Sequence, residues 1–163
     1  MIEIAPLRPE QAVEARRVIY AVAHALFMPE LTFEEAAAKL EREWPIVDVL
    51  NFQSSYMEKG GVFLAAFDDG RLIGTGGLRR LEDGVGEIKR LWLLPAYHGL
   101  GVGHALMERL LEAAREQGYT CVRLETSPAY QKRAYRFYRR LGFVEIPRYG
   151  DDPDDVGMEL MLA

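Results

Sequence analysis

The chain has a single cysteine. Cys121 therefore closes no internal disulfide, and within Thr120-Cys-Val-Arg-Leu it reads as a reduced core residue of a strand. No apolar run approaches the ~20 residues of a membrane span. The start, Met1-Ile-Glu-Ile-Ala-Pro, has neither the basic nor the long apolar segment of a signal peptide, so a cytoplasmic protein is expected. Positive charge is also short: 20 Lys and Arg face 25 Asp and Glu, a net charge of -5. That opposes general binding to nucleic acid or an anionic membrane, while leaving room for a local basic site. The 3 histidines, one of them His24 in the first helical stretch, stand without a set of matching ligand residues, and no metal site is expected. Internal repeats and low-complexity segments are missing too.

What is present is an ordinary mixture, 49% hydrophobic and 28% charged. Its 163 residues suit one domain spanning 1–163, large enough to bury about two thirds of its unfolded surface. One stretch organises the rest. Glu87 to Leu94 reads as a strand stopped by Pro95. Gly99, Gly101 and Gly103 alternate along a short loop, and from Val102 apolar residues recur at helical spacing through Leu106, Leu110 and Ala113. A glycine loop that opens a helix leaves N–H groups free and adds the helix dipole, which together make a seat for phosphate.

Three phosphate-binding patterns can be tried on this loop. A P-loop needs Lys-Ser/Thr after the last glycine, but His104-Ala105 follows Gly103. A dinucleotide loop needs a third glycine where His104 or Leu106 stands, although Glu125 lies near the ribose-binding distance of about 20 residues. The third pattern fits best. Leu93-Leu94-Pro95 followed by His98-Gly99-Leu100-Gly101-Val102-Gly103 resembles motif A of the GNAT superfamily of acyl-CoA-dependent N-acetyltransferases, with His98 in place of the usual Gln or Arg. A second block, Gln131-x-x-Ala134-x-x-Phe137-Tyr138-x-x-x-Gly142-Phe143, is similar to another block of that family, with Gln131 in place of Asn. The resemblance covers roughly residues 61–162 and is loose before that.

Along the chain, Ile2, Ile4 and Leu7 predict a short first strand, and Pro9 opens a helix whose apolar face is Val13, Ile19, Tyr20, Ala23, Leu26 and Phe27. Thr32 with Glu35 is a capping box for a second helix that runs to Pro45. Asp48 to Met57 reads as loop or short helix. Strands at 61–67, 71–81 and 85–94, joined by Asp68-Asp69-Gly70 and Glu82-Asp83-Gly84, form an antiparallel meander. Gly74, Gly76 and Gly77 mark a bulge or close backbone approach in its middle strand. The helix from Val102 ends at Gly118, and strand 120–125 must lie parallel to the central strand because a helical crossover joins them. A last helix at 129–141 precedes a hairpin of strands 143–146 and 156–162 around an acidic loop.

The fold class is thus α+β, a mixed, mostly antiparallel sheet of about six to seven strands with helices on both faces. The resemblance implies the family's three-layer arrangement, a sheet that splays between the central strand and strand 120–125, and acyl-CoA inserted there. It implies acetyl transfer from acetyl-CoA, as cosubstrate and without a metal, directly to a primary amine of a small molecule or peptide. It also implies pyrophosphate on the amides of Gly99 to His104, with His98 on the phosphate side, and a family in which homodimers are common. Main-chain groups around Leu91 and Leu93 would pair with the pantetheine arm, the Leu93 amide would hold the thioester oxygen, and Tyr138 would protonate the leaving thiolate. Gln131 belongs to the same cofactor-binding block. Glu87 stands where some members place a general base, with Glu125 as its competitor. The basic run of Lys132, Arg133, Arg136, Arg139 and Arg140 is a solvated face or a partner for the 3′-phosphate. Asp151, Asp152, Asp154 and Asp155 are a solvated loop or a lure for a cationic amine. The alternative function is an acyl-CoA-binding sensor module without catalysis.

Overall fold

A computed structural model describes all residues, 1–163. Seven strands form one sheet: β1 (Ile2–Pro6), β2 (Val62–Asp68), β3 (Arg71–Glu82), β4 (Val85–Leu93), β5 (Cys121–Thr126), β6 (Val144–Ile146) and β7 (Val156–Met161). Their order is β1-β2-β3-β4-β5-β7-β6. Only β4 and β5 are parallel; every other neighbouring pair is antiparallel. The helices are α1 (Ala12–Phe27), α2 (Phe33–Glu43), α3 (Val47–Leu50), α4 (Phe52–Ser55), α5 (Val102–Glu116) and α6 (Lys132–Leu141). None is long and apolar enough to cross a membrane.

The period-2 pattern of β2 splits the core in two. Phe63, Ala65 and Phe67 face α1 to α4, while Leu64 and Ala66 face α5. The expected meander is present, as is the parallel crossover into β5. The glycines of β3 do mark close approaches. A Cβ at Gly74 would lie 2.9 Å from the Trp92 carbonyl oxygen, and one at Gly77 would lie 2.8 Å from the Tyr56 ring.

Four details differ from the sequence reading. Pro9 opens a 3-10 turn, and α1 follows it. Val13 is exposed, because the buried stripe of α1 runs through Ala15, Val18, Ile19, Val22 and Ala23. Asp48 to Met57, read as loop or short helix, holds not one short helix but two, of a single turn each, followed by a 3-10 turn. The last helix begins at Lys132 instead of 129: Ser127 and Pro128 form a turn in which the Gln131 N–H donates to the Ser127 carbonyl at 2.7 Å.

β4 carries an irregularity that no sequence periodicity announces. Its pairing with β3 slips by one residue between Lys89 and Trp92, and Arg90 takes φ +56°. A left-handed backbone at a residue with a Cβ costs about 1–2 kcal/mol. Three contacts hold it. Thr75 Oγ1 donates to the Arg90 carbonyl (2.7 Å), the Arg90 guanidinium grips both oxygens of Asp48 (2.9 and 3.0 Å), and it lies over the Trp44 ring at 5.4 Å. Burial raises the Asp48 pKa, but Arg90 and the Tyr56 hydroxyl outweigh it, and the carboxyl titrates below its ordinary value. Asp48→Asn leaves a half-buried guanidinium without its counter-charge and is expected to cost about 3 kcal/mol in urea unfolding at pH 7. A carboxyl whose pKa is depressed on folding stabilises above its unfolded value and loses that contribution as pH falls through the folded one. The gap between wild type and variant should therefore be full at pH 5–7 and close below about pH 4.

Candidate active site

β4 and β5 share only three pairs, Val85–Cys121, Gly86–Val122 and Glu87–Arg123. β5 then follows β7 along its length, while β4 stays on β3 as far as Leu93. A wedge opens between them. Leu94 N–H donates to the Ile73 carbonyl at 3.0 Å, so alternation turns the N–H and C=O of Leu93 away from β3 and into the wedge. Leu91 lines the cleft beside it. The wedge continues into a cleft of about 840 Å³ that reaches from the glycine loop to the C-terminal end of α1. Eleven of the twelve residues read from the sequence as site residues line it: Glu87, Leu91, Leu93, His98, Gly99, Gly101, Val102, Gly103, His104, Gln131 and Tyr138, leaving Leu100 outside.

The loop leaves main-chain donors free at the start of α5. Tyr97 donates its hydroxyl to Asp68 (2.6 Å), tying the turn after β4 to β2. Gly99 and Gly101 have φ +77° and +84°, and Gly101 is the N-cap of α5. The first N–H of the α5 ladder to find a partner is that of Ala105, on the Gly101 carbonyl at 3.0 Å. From Gly99 through His104 no main-chain N–H meets a main-chain acceptor. These free donors at a helix N-terminus fit a pyrophosphate. The Leu100 side chain is a correction: it is 68% exposed and faces the outside of the loop, so only its main chain can serve the site. The His104 ring also turns away, to Glu108 at 3.0 Å. His98 stays in the cleft. Burial and then the neighbouring Arg133 push its pKa below the ordinary value, against a hydrogen bond to the Leu93 main chain.

α6 supplies the opposite wall. Tyr138 is buried, with ring centroids 5.7 Å from Phe137 and 5.8 Å from Phe143. Burial alone raises its pKa well above that of free tyrosine; no hydrogen bond to the protein contributes. A protonated, unshared hydroxyl therefore faces the cleft. Gln131 accepts from Thr126 Oγ1 at 3.0 Å. Of the basic run only Lys132, Arg133 and Arg140 border the cleft, while Arg136 and Arg139 do not.

Glu87 is a buried carboxylate, not a charged strand edge. Arg79 Nε donates to one oxygen (3.1 Å) and the Tyr149 hydroxyl to the other (2.9 Å). Glu125 anchors the acidic loop instead: its Oε2 accepts the N–H groups of Tyr149 (3.1 Å) and Gly150 (2.9 Å). A Cβ at Gly150 would lie 2.3 Å from Glu125 Oε1, so a larger residue there would push the carboxylate aside. Tyr149 is a site residue that sequence reasoning missed. Its only signal, an aromatic opening an acidic loop, says nothing about a partner 62 residues away.

The model of the "Acetyltransferase (GNAT) family" matches residues 24–143. The chain belongs to the GNAT acetyltransferase family. Over 104 residues it is 36% identical to an "IAA acetyltransferase" of Azospirillum brasilense, covering 61% of this chain and 67% of that protein. Over 80 residues it is 42% identical to an uncharacterised N-acetyltransferase of Mycobacterium tuberculosis, covering 49% of this chain and 51% of that protein. The chain thus spans about half to two thirds of these relatives. A GNAT-family acetyltransferase from Staphylococcus aureus superposes with TM-score 0.81 at 22% identity, over all of both chains. The PaiA N-acetyltransferase of Thermoplasma acidophilum, solved in complex with coenzyme A, superposes with TM-score 0.79 at 23% identity over 99% of each chain. At these identities the two structures establish the fold, and acyl transfer is the reaction class of the family.

The position of His98 gives a prediction for this loop. A neutral imidazole adds little to phosphate binding, so His98→Arg should tighten coenzyme A binding about three- to tenfold at pH 7.5 by calorimetry. Wild-type affinity should rise through His98 only when the pH falls below about 6.5, since the ring's pKa is depressed.

Proposed function

We propose that the protein transfers an acetyl group from acetyl-CoA directly to a primary amine within a ternary complex. The observation that carries this reading is the meeting, in one cleft, of unpaired amides at Gly99–His104, the inward-turned main chain of Leu93 and the unshared hydroxyl of Tyr138. The amides of Gly99 to His104 would hold the pyrophosphate, with Lys132, Arg133 and Arg140 supplying positive charge beside it. The arm would run along the free edge of β4 past Leu91. At Leu93 the N–H points into the wedge, where it would stabilise the oxyanion formed when the amine adds to the thioester carbonyl.

The amine must first lose a proton. An alkylammonium of pKa about 10.4 leaves roughly one molecule in 2,500 free at pH 7. Glu87 would accept that proton, directly or through water; Arg79 and Tyr149 fix its carboxylate. Collapse of the adduct then forms the amide C–N bond and breaks C–S. Tyr138 donates to the departing sulfur. Its raised pKa makes full transfer to an ordinary thiolate of pKa about 8.5 uphill, but the thiolate emerges in the same desolvated cleft, where its own pKa rises too. The hydroxyl therefore acts first as a hydrogen-bond donor, and the proton follows.

Tyr138→Phe should lower kcat about ten- to a hundredfold while the acetyl-CoA Kd stays within threefold. Equal turnover removes Tyr138 from the mechanism, and binding without turnover on any amine favours a non-catalytic acyl-CoA-binding module. Glu87→Gln should lower kcat/KM for the amine and abolish the carboxylate limb of the pH–rate profile, with relief at high pH where the amine deprotonates unaided.

A further inference from the structure

The acceptor half of the cleft lies on the α1–α2 face of the sheet, bounded by Val22, Ala23 and Leu26 of α1, by Leu40 of α2 and by Trp44 just after it. Three cations stand around it. Arg79 is neutralised by Glu87, and Arg90 by both oxygens of Asp48. Lys89 lines the cleft between them and has neither an ion pair nor a hydrogen bond. It is unlike the chain's other lysines: Lys39, Lys59 and Lys132 are exposed, and Lys89 alone is withdrawn from solvent. Withdrawing an ammonium group costs free energy unless an anion meets it. Burial is the largest influence and, with the guanidinium groups of Arg90 and Arg79, pulls its pKa down; the attraction of Glu87 and of Asp48 only partly offsets this. The two carboxylates near it, Glu87 and Asp48, are each already paired with an arginine, so the protein places a positive charge there and gives it no ion pair of its own.

The phosphates do not supply it. They belong to the glycine loop, beyond the end of β4, whereas Lys89 lies within β4 on the opposite face from Ile88, which packs toward α5. Four residues of strand, about 13 Å, separate Lys89 from Leu93, and the bulge at Arg90 and the length of the lysine side chain shorten that span. An anion at Lys89 thus stands within a small molecule's length of the acetyl position.

We propose that the acceptor is a small amino-carboxylate whose carboxylate pairs with Lys89, making this lysine a specificity determinant of the acceptor site. The inference rests on the transferase reading above. Loss of such a pair leaves a withdrawn charge on one side and an unmatched carboxylate on the other, worth about tenfold or more in kcat/KM.

The test is a free-thiol assay with acetyl-CoA and a panel of α- and ω-amino acids, each compared with its own carboxamide. Wild type should prefer the carboxylate partner at least tenfold. Lys89→Met should lose most of that preference through a rise in KM for the carboxylates, and Lys89→Arg should retain it. Equal use of acids and amides by the wild type, or an undiminished preference in a folded Lys89→Met, overturns the inference and leaves the transferase standing. Thiol release with no amine at all overturns both.

Discussion

The site depends on β4 parting from β5. A parallel pair that stayed in register would spend the main-chain groups of Leu91 and Leu93 on its neighbour, and no wedge would exist. The strands separate after Glu87–Arg123 because each is held elsewhere: β5 by its full pairing with β7, β4 by β3 and by the bulge at Arg90. The bulge is locally unfavourable, so it needs Asp48, Thr75 and Trp44 to keep it. Those contacts come from β3 and from the irregular stretch after α2, which explains why a segment with so little regular structure matters to a site that it scarcely touches.

The electrostatics divide the cleft into two ends. At the α5–α6 end lie free amides and exposed basic side chains, and burial lowers the pKa of the histidine there. At the other end most charges are already matched, Glu87 by Arg79 and Arg90 by Asp48. Three groups are left in different states: a Glu87 carboxylate fixed by two partners, an unshared Tyr138 phenol and a Lys89 ammonium with no ion pair. Environment, more than residue type, separates Tyr138 from Tyr149. Both titrate above free tyrosine, but Tyr149 spends its hydroxyl on Glu87 and Tyr138 keeps its own free.

Much of this was legible in the sequence because it is local. Strand, glycine loop and helix follow one another within 20 residues, and the meander is spelled out by its turns. The spacing of Gln131, Tyr138 and Gly142 carried the second block despite a helix that starts three residues later than read. What stayed hidden is non-local. Arg90 meets Asp48 across 42 residues and Tyr149 meets Glu87 across 62, and neither apolar periodicity nor turn chemistry encodes such pairs. Burial of Glu87 was hidden for the same reason, since a glutamate within a strand looks solvated until the elements covering it are placed. The outward turn of Leu100 follows from the two left-handed glycines flanking it, whose effect on side-chain direction a motif does not state.

The central claim is that the wedge between β4 and β5 is an acetyl-CoA site. Titration calorimetry of the protein with acetyl-CoA, alongside NAD and ATP, tests it most directly. Micromolar binding of acetyl-CoA, with neither nucleotide control binding comparably, is the result the account predicts. Binding of NAD in its place, or of none of the three, would contradict it.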